Sequence, residues 1–252
     1  MMKAAIVIPA RYGSSRFEGK PLALIVDKPM IQHVYERCKE VSLVSKVIVA
    51  TDDERIKQAV KSFGGDVMMT SPDHSSGTSR IAELLPALKA FDIIVNVQGD
   101  EPMIMPGAIE TLLDSFEEED TDIATLCAPI TAESELFNYN VVKVVRDIHE
   151  NALYFSRQAI PALRDDPYRL WLTKASYYKH IGIYAYKTNV LGKINKLPDG
   201  TLSKLELLEQ LTWLEHGYKI KCLETNYESI GVDTEEDLKR VEKILLTKGM
   251  FD

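Results

Sequence analysis

The first half of the chain alternates short apolar runs with segments of helical period. Runs rich in valine and isoleucine predict strands, and the amphipathic segments between them predict helices. The predicted strands are 4–9, 46–51, 66–70, 92–98 and 123–130, and the predicted helices are 29–41, 52–64, 79–91 and 106–119. Runs that are apolar throughout and separated by helices are typical of parallel strands covered on both faces. The pattern therefore predicts an α/β fold with a doubly wound, mostly parallel sheet.

From about residue 131 the pattern changes to strands with less helix between them. The expected strands are 141–147, 152–161 and 179–186. A polar, proline-containing stretch at 164–178 is expected to be a long loop. We interpret the whole chain, 1–252, as a single domain with a smaller sheet-rich insertion at about 131–190.

Two further helices are predicted near the end of the chain. The first, 202–217, is amphipathic, with its core side formed by Leu205, Leu208, Leu211 and Trp213. The second, 234–248, begins with Thr234 and Asp237 at capping-box spacing.

Composition and charge narrow the class of protein. The 252-residue chain has a net charge of -8 and a pI of about 5.3, which argues against a nucleic-acid or anionic-membrane binder. The three cysteines, Cys38, Cys127 and Cys222, are widely spaced, as free thiols in a reducing compartment would be. No signal peptide and no bilayer-length apolar run is found, so we expect a cytoplasmic protein.

The segment VIPARYGSSRFEGK (7–20) places cations and glycines at the end of the first predicted strand. Glycines let backbone N–H groups approach a ligand, and Arg11, Arg16 and Lys20 can neutralise phosphate charge. The segment matches neither GxxxxGK[ST] nor GxGxxG. Cations concentrated at a strand end of an acidic protein favour phosphate binding over a solvated surface loop.

Three other polar segments allow both a functional and a structural interpretation. Asp100 follows a buried strand and Gly99, which suits either a Mg²⁺ ligand or a turn. Asp233 directly precedes a helix, where aspartate is a favoured N-cap. The segment SSGTSR (75–80) enters a helix and could cap it through Ser76 or Thr78.

Nine stretches together resemble one family. They are IPARYGSSR, GKPL, VATDD, SSGTSR, NVQGDEP, ALYFSRQAIP, KHIGIYAY, LELLEQL and GVDTEEDL. Their order over nearly the whole chain is similar to that of the sugar nucleotidyltransferases, and in particular of the 3-deoxy-manno-octulosonate (Kdo) cytidylyltransferases. The resemblance implies a fold of the nucleotide-diphospho-sugar transferase type.

It also implies an activity. CTP and Kdo would be the substrates: the anomeric hydroxyl of Kdo attacks the α-phosphorus, pyrophosphate leaves, and CMP-Kdo forms for lipopolysaccharide biosynthesis. The implied cofactor is Mg²⁺. The implied assembly is a homodimer whose interface, like part of the sugar site, comes from the insertion at about 131–190.

The resemblance assigns roles to residues of this chain. The expected catalytic residues are Lys20, Asp100 and Arg16, and the expected metal ligands are Asp100 and Asp233, which should then lie close in space. The expected nucleotide-binding residues are Ala10, Arg11, Gly13, Ser14, Arg16, Lys20, Ser76, Gly77, Arg80 and Asp100. The expected sugar-binding residues are Gln98, Arg157, Arg164, His180, Tyr184, Glu209 and Gln210.

The chain departs from the family pattern at a few positions. Glu18 stands where proline is usual, and Thr212 stands where arginine is common. Between Arg164 and His180 the match is poor. The alternatives are a cytidylyltransferase for another acid sugar, either 8-amino-Kdo or a nonulosonate, a glycosyltransferase, and a non-catalytic nucleotide-binding module. A glycosyltransferase typically carries a DxD motif, and this chain has only Asp100-Glu101 at that strand end.

Overall fold

The computed structural model describes residues 2–13, 17–118, 120–227 and 230–248. The chain divides into two compact units. The first comprises Met1–Glu110 together with Ser229–Asp252, and the second comprises Thr111–Glu228. The single domain with an insertion at about 131–190 stays a prediction.

Parallel strands joined by helices dominate the first unit. Along residues 2–110 the elements are β1 (Ala4–Ala10), β2 (Leu24–Ile25), β3 (Lys28–Pro29), α1 (Met30–Lys39), β4 (Val44–Thr51), α2 (Glu54–Ser62), β5 (Val67–Met69), α3 (Gly77–Glu83) and β6 (Ile93–Asn96), and α4 (Pro106–Asp114) begins in this unit and continues past Glu110. Four strands pair in parallel in the order β6–β1–β4–β5. Ile6, Val7 and Ile8 of β1 are fully buried, as a strand covered on both faces requires.

The second unit is richer in antiparallel pairing. Its elements are β7 (Ile123–Pro129), α5 (Glu133–Leu136), β8 (Lys143–Arg146), β9 (Ala152–Ser156), α6 (Trp171–Lys174), β10 (Tyr178–Lys187), α7 (Thr188–Ile194), α8 (Thr201–Glu206), α9 (Gln210–Glu215) and β11 (Lys221–Glu224). The strands follow the order β11–β7–β10–β8–β9, and only the β11–β7 pair is parallel among them. The predicted α/β fold, with a mostly parallel sheet and a smaller sheet-rich part, is confirmed.

The last helix, α10 (Glu235–Lys248), belongs to the first unit. Val232 and Val241 are fully buried in one apolar cluster with Ile25 and Met30. Each buried side chain of this size contributes about 1.5–3 kcal/mol. This packing fixes the segment that precedes α10 against the hairpin of β2 and β3 and the start of α1.

Two helix predictions were wrong in extent. The helix expected at 79–91 is the shorter α3, because Ser76 caps its start and Pro86 disfavours helix in the residue before it. The single helix expected at 202–217 is broken into α8 and α9. Leu207 adopts φ +53° between them. Leu205, expected in the core, is 76% exposed as a result, whereas Leu211 is fully buried.

The break between α8 and α9 is supported by contacts from distant residues. Glu215 accepts hydrogen bonds from the backbone N–H groups of Thr201 and Leu202, at 2.9 and 3.0 Å, and so caps the start of α8. Arg157 donates to the carbonyl of Glu206 at 2.7 Å, at the end of the same helix. Capping of both ends stabilises two short helices where the local pattern favours one.

Two further features concern the cysteines and the helix lengths. Cys38, Cys127 and Cys222 are all buried free thiols. In the described part of the chain, no helix combines the length and the apolar character that crossing a membrane requires.

Candidate active site

A cavity of about 260 Å³ lies at the carboxyl ends of β1 and β6, beside the start of α3. Parallel α/β sheets bind their ligands at this edge. Two glycines permit close approach of its walls: a Cβ at Gly77 would lie 3.0 Å from Pro9 Cγ, and one at Gly99 would lie 3.0 Å from the Pro9 carbonyl oxygen. The lining residues are Pro9, Ala10, Arg11, Lys20, Pro21, His74, Ser75, Ser76, Gly77, Arg80, Gln98, Gly99, Asp100 and Asp233.

Lys20 lies between two carboxylates in this cavity. Its Nζ donates to Asp100 Oδ2 at 2.7 Å and to Asp233 Oδ1 at 3.2 Å. The two oxygens can therefore be no farther apart than the sum of those distances, so Asp100 and Asp233 lie close in space, as expected. The turn that presents Lys20 follows Gly19, whose φ of +69° suits glycine.

Backbone contacts explain why Asp233 reaches Asp100. The Val232 N–H donates to the Asp100 carbonyl at 2.9 Å, and Val232 is anchored in the apolar cluster beneath α10. Thr234 occupies the capping position of α10: its hydroxyl accepts from the Asp237 N–H at 3.2 Å, and Asp237 Oδ2 accepts from the Thr234 N–H at 3.0 Å. The capping box predicted for these two residues is confirmed, and it leaves the Asp233 carboxylate directed at Lys20.

The Asp100 and Asp233 pair suits a divalent cation that is shared with phosphate. Mg²⁺ is usually held by one or two carboxylates together with substrate phosphates and water. Among residues 2–13, 17–118, 120–227 and 230–248, no group of three or more His, Cys, Asp or Glu side chains could hold a metal ion. The donor set fits Mg²⁺ bound with a nucleotide better than Mg²⁺ in an all-protein cage.

The start of α3 forms a second wall of the cavity. Ser76 caps this helix by accepting from the Ser79 N–H at 3.1 Å, and a capping box links the two serines. Arg80 is only 3% exposed. Its guanidinium donates to Thr70 Oγ1 at 2.6 Å and to Asp52 Oδ2 at 3.2 Å. Arg80 therefore reaches the cavity while it fixes the loop before α3.

The opening loop is only partly described. Ser14 and Arg16, two of the expected site residues, lie outside the described residues. Arg11 is exposed and lines the cavity. A Cβ at Gly13 would meet nothing within 4 Å, so the backbone there faces open space. Glu18, the departure from the family pattern, is exposed.

A cluster around Tyr12 holds this loop and was not anticipated from the sequence. The Arg55 guanidinium lies 3.2 Å from the centroid of the Tyr12 ring, a cation–π contact. Asp53 accepts from Arg55 Nε at 3.0 Å and from its NH2 group at 2.7 Å, and these bonds hold the pKa of Asp53 below its ordinary value. The backbone carbonyl of Tyr12 in turn accepts from the Gly19 N–H at 2.9 Å. The sequence could have indicated Arg55, because it closely follows the end of β4 in the segment VATDDER (49–55).

His74 also lines the cavity and was not predicted from the sequence as a site residue. Its Nε2 lies 2.5 Å from Glu83 Oε2. Its position directly before the SSGTSR segment could have identified it. Gln98, expected to bind sugar, also lines the cavity, and its Nε2 donates to Asn96 Oδ1 at 3.4 Å.

The remaining sugar-binding candidates lie in the second unit. The Arg157 guanidinium donates to the backbone carbonyls of Glu206 at 2.7 Å and of Tyr139 at 3.1 Å. The Arg164 side chain is 94% exposed, and its Nε lies 3.9 Å from Asp165 Oδ1. Of the two arginines, Arg157 is thus bound to backbone and Arg164 is presented to solvent.

His180 and Tyr184 lie together on β10. Their ring centroids are 5.4 Å apart. Burial lowers the pKa of His180 to about 3, and its Nε2 is 3.0 Å from Thr125 Oγ1. Burial, followed by the neighbouring Tyr186, raises the pKa of Tyr184 well above its ordinary value. Both side chains are therefore neutral hydrogen-bonding groups at physiological pH.

Glu209 and Gln210 lie at the break between α8 and α9. Glu209 is exposed at the N-cap position of α9, and Gln210, the first residue of that helix, is 5% exposed. The two neighbours thus face different surroundings.

Comparison with known proteins identifies the family. The family model described as cytidylyltransferase matches residues 5–220. A 3-deoxy-manno-octulosonate cytidylyltransferase of Parabacteroides distasonis is 50% identical, with 98% of this chain and 100% of the relative covered. An 8-amino-3,8-dideoxy-manno-octulosonate cytidylyltransferase of Shewanella sediminis is 49% identical, with 97% and 99% covered.

A solved structure is similar over the same extent. The structure of a CMP:2-keto-3-deoxy-manno-octonic acid synthetase complexed with CTP has a TM-score of 0.91 and 46% identity, and the alignment covers 98% of this chain and 99% of the other. The chain belongs to the cytidylyltransferase family.

Proposed function

We propose that this protein transfers CMP from CTP to the anomeric hydroxyl of Kdo, giving CMP-Kdo and pyrophosphate for lipopolysaccharide biosynthesis. The observation that carries the proposal is the position of Lys20 between Asp100 and Asp233 in the cavity at the end of β1. The near full-length similarity to 3-deoxy-manno-octulosonate cytidylyltransferases and to the synthetase complexed with CTP supports it.

In this mechanism the chain positions the substrates and neutralises charge. The anomeric oxygen of Kdo forms a bond to the α-phosphorus of CTP and loses its proton, and the bond from that phosphorus to the pyrophosphate oxygen breaks. Negative charge grows on the leaving group, and fixed cations lower the barrier most when they are already in place. We assign that charge to Lys20, Arg11 and Arg16, and we assign phosphate binding to Ala10, Gly13 and Ser14 as well.

We assign the rest of the nucleotide to the wall formed by the start of α3. Ser76 and Gly77 present the first turn of this helix to the cavity. Arg80 holds the preceding loop through Thr70 and Asp52. A base and ribose need hydrogen-bond partners at fixed positions, and a loop tied at both ends supplies them.

Asp100 and Asp233 are the residues that would hold Mg²⁺. When bound, the cation would neutralise phosphate charge and polarise a phosphoryl oxygen. Lys20 would then exchange its carboxylate partners for phosphate oxygens. The partial exposure of both aspartates, 34% and 47%, supports access for a cation.

Sugar-binding roles are proposed separately for Gln98, which lines the cavity of the first unit, and for the candidates in the second unit. Kdo carries a carboxylate, for which the exposed guanidinium of Arg164 offers forked donors, whereas Arg157 would have to exchange a backbone acceptor for it. His180 and Tyr184 are neutral, as groups that bind sugar hydroxyls should be. Glu209 and Gln210 add an acceptor and an amide at the turn between two helices.

We also propose a cytoplasmic homodimer. Buried free thiols at Cys38, Cys127 and Cys222 support a reducing compartment. For the dimer, the segment around β9 exposes Ile148 at 93% and Leu153 at 61%, and large exposed apolar residues are typical of association surfaces. Sedimentation of the purified protein measures the assembly directly.

Pyrophosphate release tests the reaction. CTP and Mg²⁺ are supplied with Kdo, 8-amino-Kdo or N-acetylneuraminate in parallel. We expect release with Kdo, its loss in Asp100→Ala, and its retention in the matched control Asp66→Ala, which removes an exposed carboxylate paired with Lys46. Release only with 8-amino-Kdo or N-acetylneuraminate would replace the sugar assignment. If the protein binds CTP but releases pyrophosphate with none of the three sugars, the proposed enzymatic activity is refuted and a non-catalytic nucleotide-binding module remains.

A further inference from the structure

Lys143 is a fully buried lysine at the start of β8, and none of the roles assigned above uses it. Its Nζ donates to the backbone carbonyls of Asn138 at 2.9 Å, Val141 at 2.6 Å and Arg157 at 2.5 Å. An ammonium group has three donors, so these bonds satisfy it completely and leave none for a ligand. Its effect must therefore act through the segments that it joins.

The carboxylate of Glu206, the last residue of α8, binds the other backbone group of Arg157. Glu206 Oε2 accepts from the Arg157 N–H at 2.9 Å, and Oε1 accepts from Ser156 Oγ at 2.7 Å. The N–H of Arg157 is thus bound to an anion and its carbonyl to a cation, and hydrogen bonds to charged groups are roughly twice as strong as neutral ones. Burial lowers the pKa of Lys143, whereas the Glu206 carboxylate raises it. The two opposite charges therefore stabilise each other.

The side chain of Arg157 connects the same two segments. Its Nε donates to the Glu206 carbonyl at 2.7 Å, at the end of α8. Its NH1 group donates to the Tyr139 carbonyl at 3.1 Å, in the loop before β8 that Lys143 also binds. Backbone and side chain of Arg157 thus both join that loop to α8, and removal of either partner charge leaves the other buried without compensation.

These bonds reach three segments that carry expected sugar contacts of the second unit. The first is the end of β9, with Arg157 itself. The second is β10, where the His180 N–H donates, at 2.8 Å, to the backbone carbonyl that directly precedes Lys143. The third is the turn between α8 and α9, which carries Glu209 and Gln210. A sugar acid needs its partners at fixed distances from one another, and no single segment determines those distances.

We propose that Lys143 and Glu206 are positioning residues, which fix the spacing of these three segments and thereby set the affinity for the sugar acid. The inference rests on the proposed function, because it takes the candidates of the second unit as sugar contacts. The residues that line the nucleotide cavity belong to the first unit and take no part in these bonds. Loss of either charge should therefore weaken the use of the sugar and leave the use of CTP unchanged.

Glu206→Gln is the first variant, because it removes the charge and preserves the shape. The two carboxylate oxygens accept from different groups. The amide oxygen can therefore keep the Arg157 N–H, while the new NH₂ group donates to Ser156 Oγ, a hydroxyl that can also accept. Lys143 then lacks its counterion, so we expect the KM for Kdo to rise by about 10-fold. The KM for CTP should stay within about 2-fold of its original value.

A second variant and a matched control keep the test specific. Lys143→Met should raise the KM for Kdo by about 10- to 100-fold, because three carbonyls lose their donor and Glu206 loses its counterion. The double variant should rise no further than Lys143→Met alone, since the two charges act as one unit. Lys221→Met is the control: this lysine lies in the same unit, its side chain is only 13% exposed, and its Nζ pairs with Glu118 at 2.9 Å, apart from the bonds described above.

The KM for each substrate is measured by pyrophosphate release with Mg²⁺ and the other substrate at saturation, and the thermal midpoint reports folding. A higher KM for Kdo alone in both variants, with no change in Lys221→Met, supports the inference. A lower kcat with both KM values unchanged would overturn it, because the charges would then only stabilise the fold, and so would equal rises for Kdo and CTP. If Lys143→Met does not fold, Glu206→Gln decides by the same criteria. No release with Kdo from the original protein would refute the proposed function, and this inference with it.

Discussion

Replacing Lys20 by methionine should tighten Mg²⁺ binding while it abolishes transfer. The Lys20 ammonium group contacts both metal-ligand candidates, at 2.7 Å from Asp100 and 3.2 Å from Asp233. A cation must displace it to reach the two carboxylates. Lys20→Met keeps most of the side-chain volume and removes the competing charge. The same change removes a cation from the phosphate site, so turnover should fall by about 100-fold or more.

The expected gain in Mg²⁺ affinity follows from the exposure of the two aspartates. At an effective dielectric constant of about 20, each contact would have a gross attraction of several kcal/mol. The aspartate side chains are 34% and 47% exposed, so solvent screening reduces each contact to a net value of about 0.5–1 kcal/mol. Loss of both should strengthen Mg²⁺ binding by about 1–2 kcal/mol, or roughly 5- to 30-fold.

Calorimetric titration with Mg²⁺, without nucleotide, measures this gain. Lys46→Met is the matched control, because it breaks an exposed ion pair with Asp66 at 2.8 Å away from the cavity. We expect tighter binding in Lys20→Met, no change in Lys46→Met, and no binding in the double variant Lys20→Met, Asp100→Asn. Unchanged or weaker Mg²⁺ binding in Lys20→Met would refute the competition and, with it, the assignment of the two carboxylates as a shared metal site.

Three further predictions concern buried polar groups. Arg80→Met should lower the free energy of unfolding by about 3 kcal/mol, because Asp52 and Thr70 lose a buried partner; a urea denaturation curve within error of the original would contradict this. Lys143→Met should cost about 2–4 kcal/mol in the same assay, since the fully buried Nζ donates to three backbone carbonyls, and a neutral effect would show that those carbonyls find other partners. Burial lowers the pKa of His180 to about 3, so between about pH 3 and 6.5 the unfolded chain binds more protons than the folded one. The free energy of unfolding should therefore decrease as the pH is lowered through that window. For a ring that keeps part of its surface accessible, the loss from pH 7 to 5 should be about 1–2 kcal/mol, and His180→Gln should remove it; an equal loss in that variant would assign the effect to other groups.

Much of the fold was predictable because burial acts locally on the pattern of residues. Strand β1 is apolar throughout and is buried at every residue except the half-buried Pro9, so its sequence alone indicates a parallel strand covered on both faces. The start of α10 was equally predictable from the sequence, because Thr234 and Asp237 form their hydrogen bond within one turn. The break after Glu206 was not, because it depends on Arg157 from a different strand and on Glu215 from the next helix.

The candidate site shows the same division between local and distant causes. That polar residues gather at the ends of β1 and β6 follows from parallel pairing alone, so the neighbourhood of Lys20 and Asp100 was predictable. Which partner each charge takes is decided by packing. Asp233 contacts Lys20 because Val232 is buried beneath α10 and its N–H bonds to the Asp100 carbonyl. Neither contact can be recognised from the sequence around these residues.

Arg80 shows why a family role and a structural role need not compete. The sequence offers it as a nucleotide contact, and the structure buries it against Asp52 and Thr70 while it still lines the cavity. A guanidinium that is fixed by three acceptors presents its remaining surface without the entropy cost of ordering a free arginine. Under the proposed function, its structural bonds would also position it for the nucleotide. Glu83 fixes His74 in the same way, one turn further along α3.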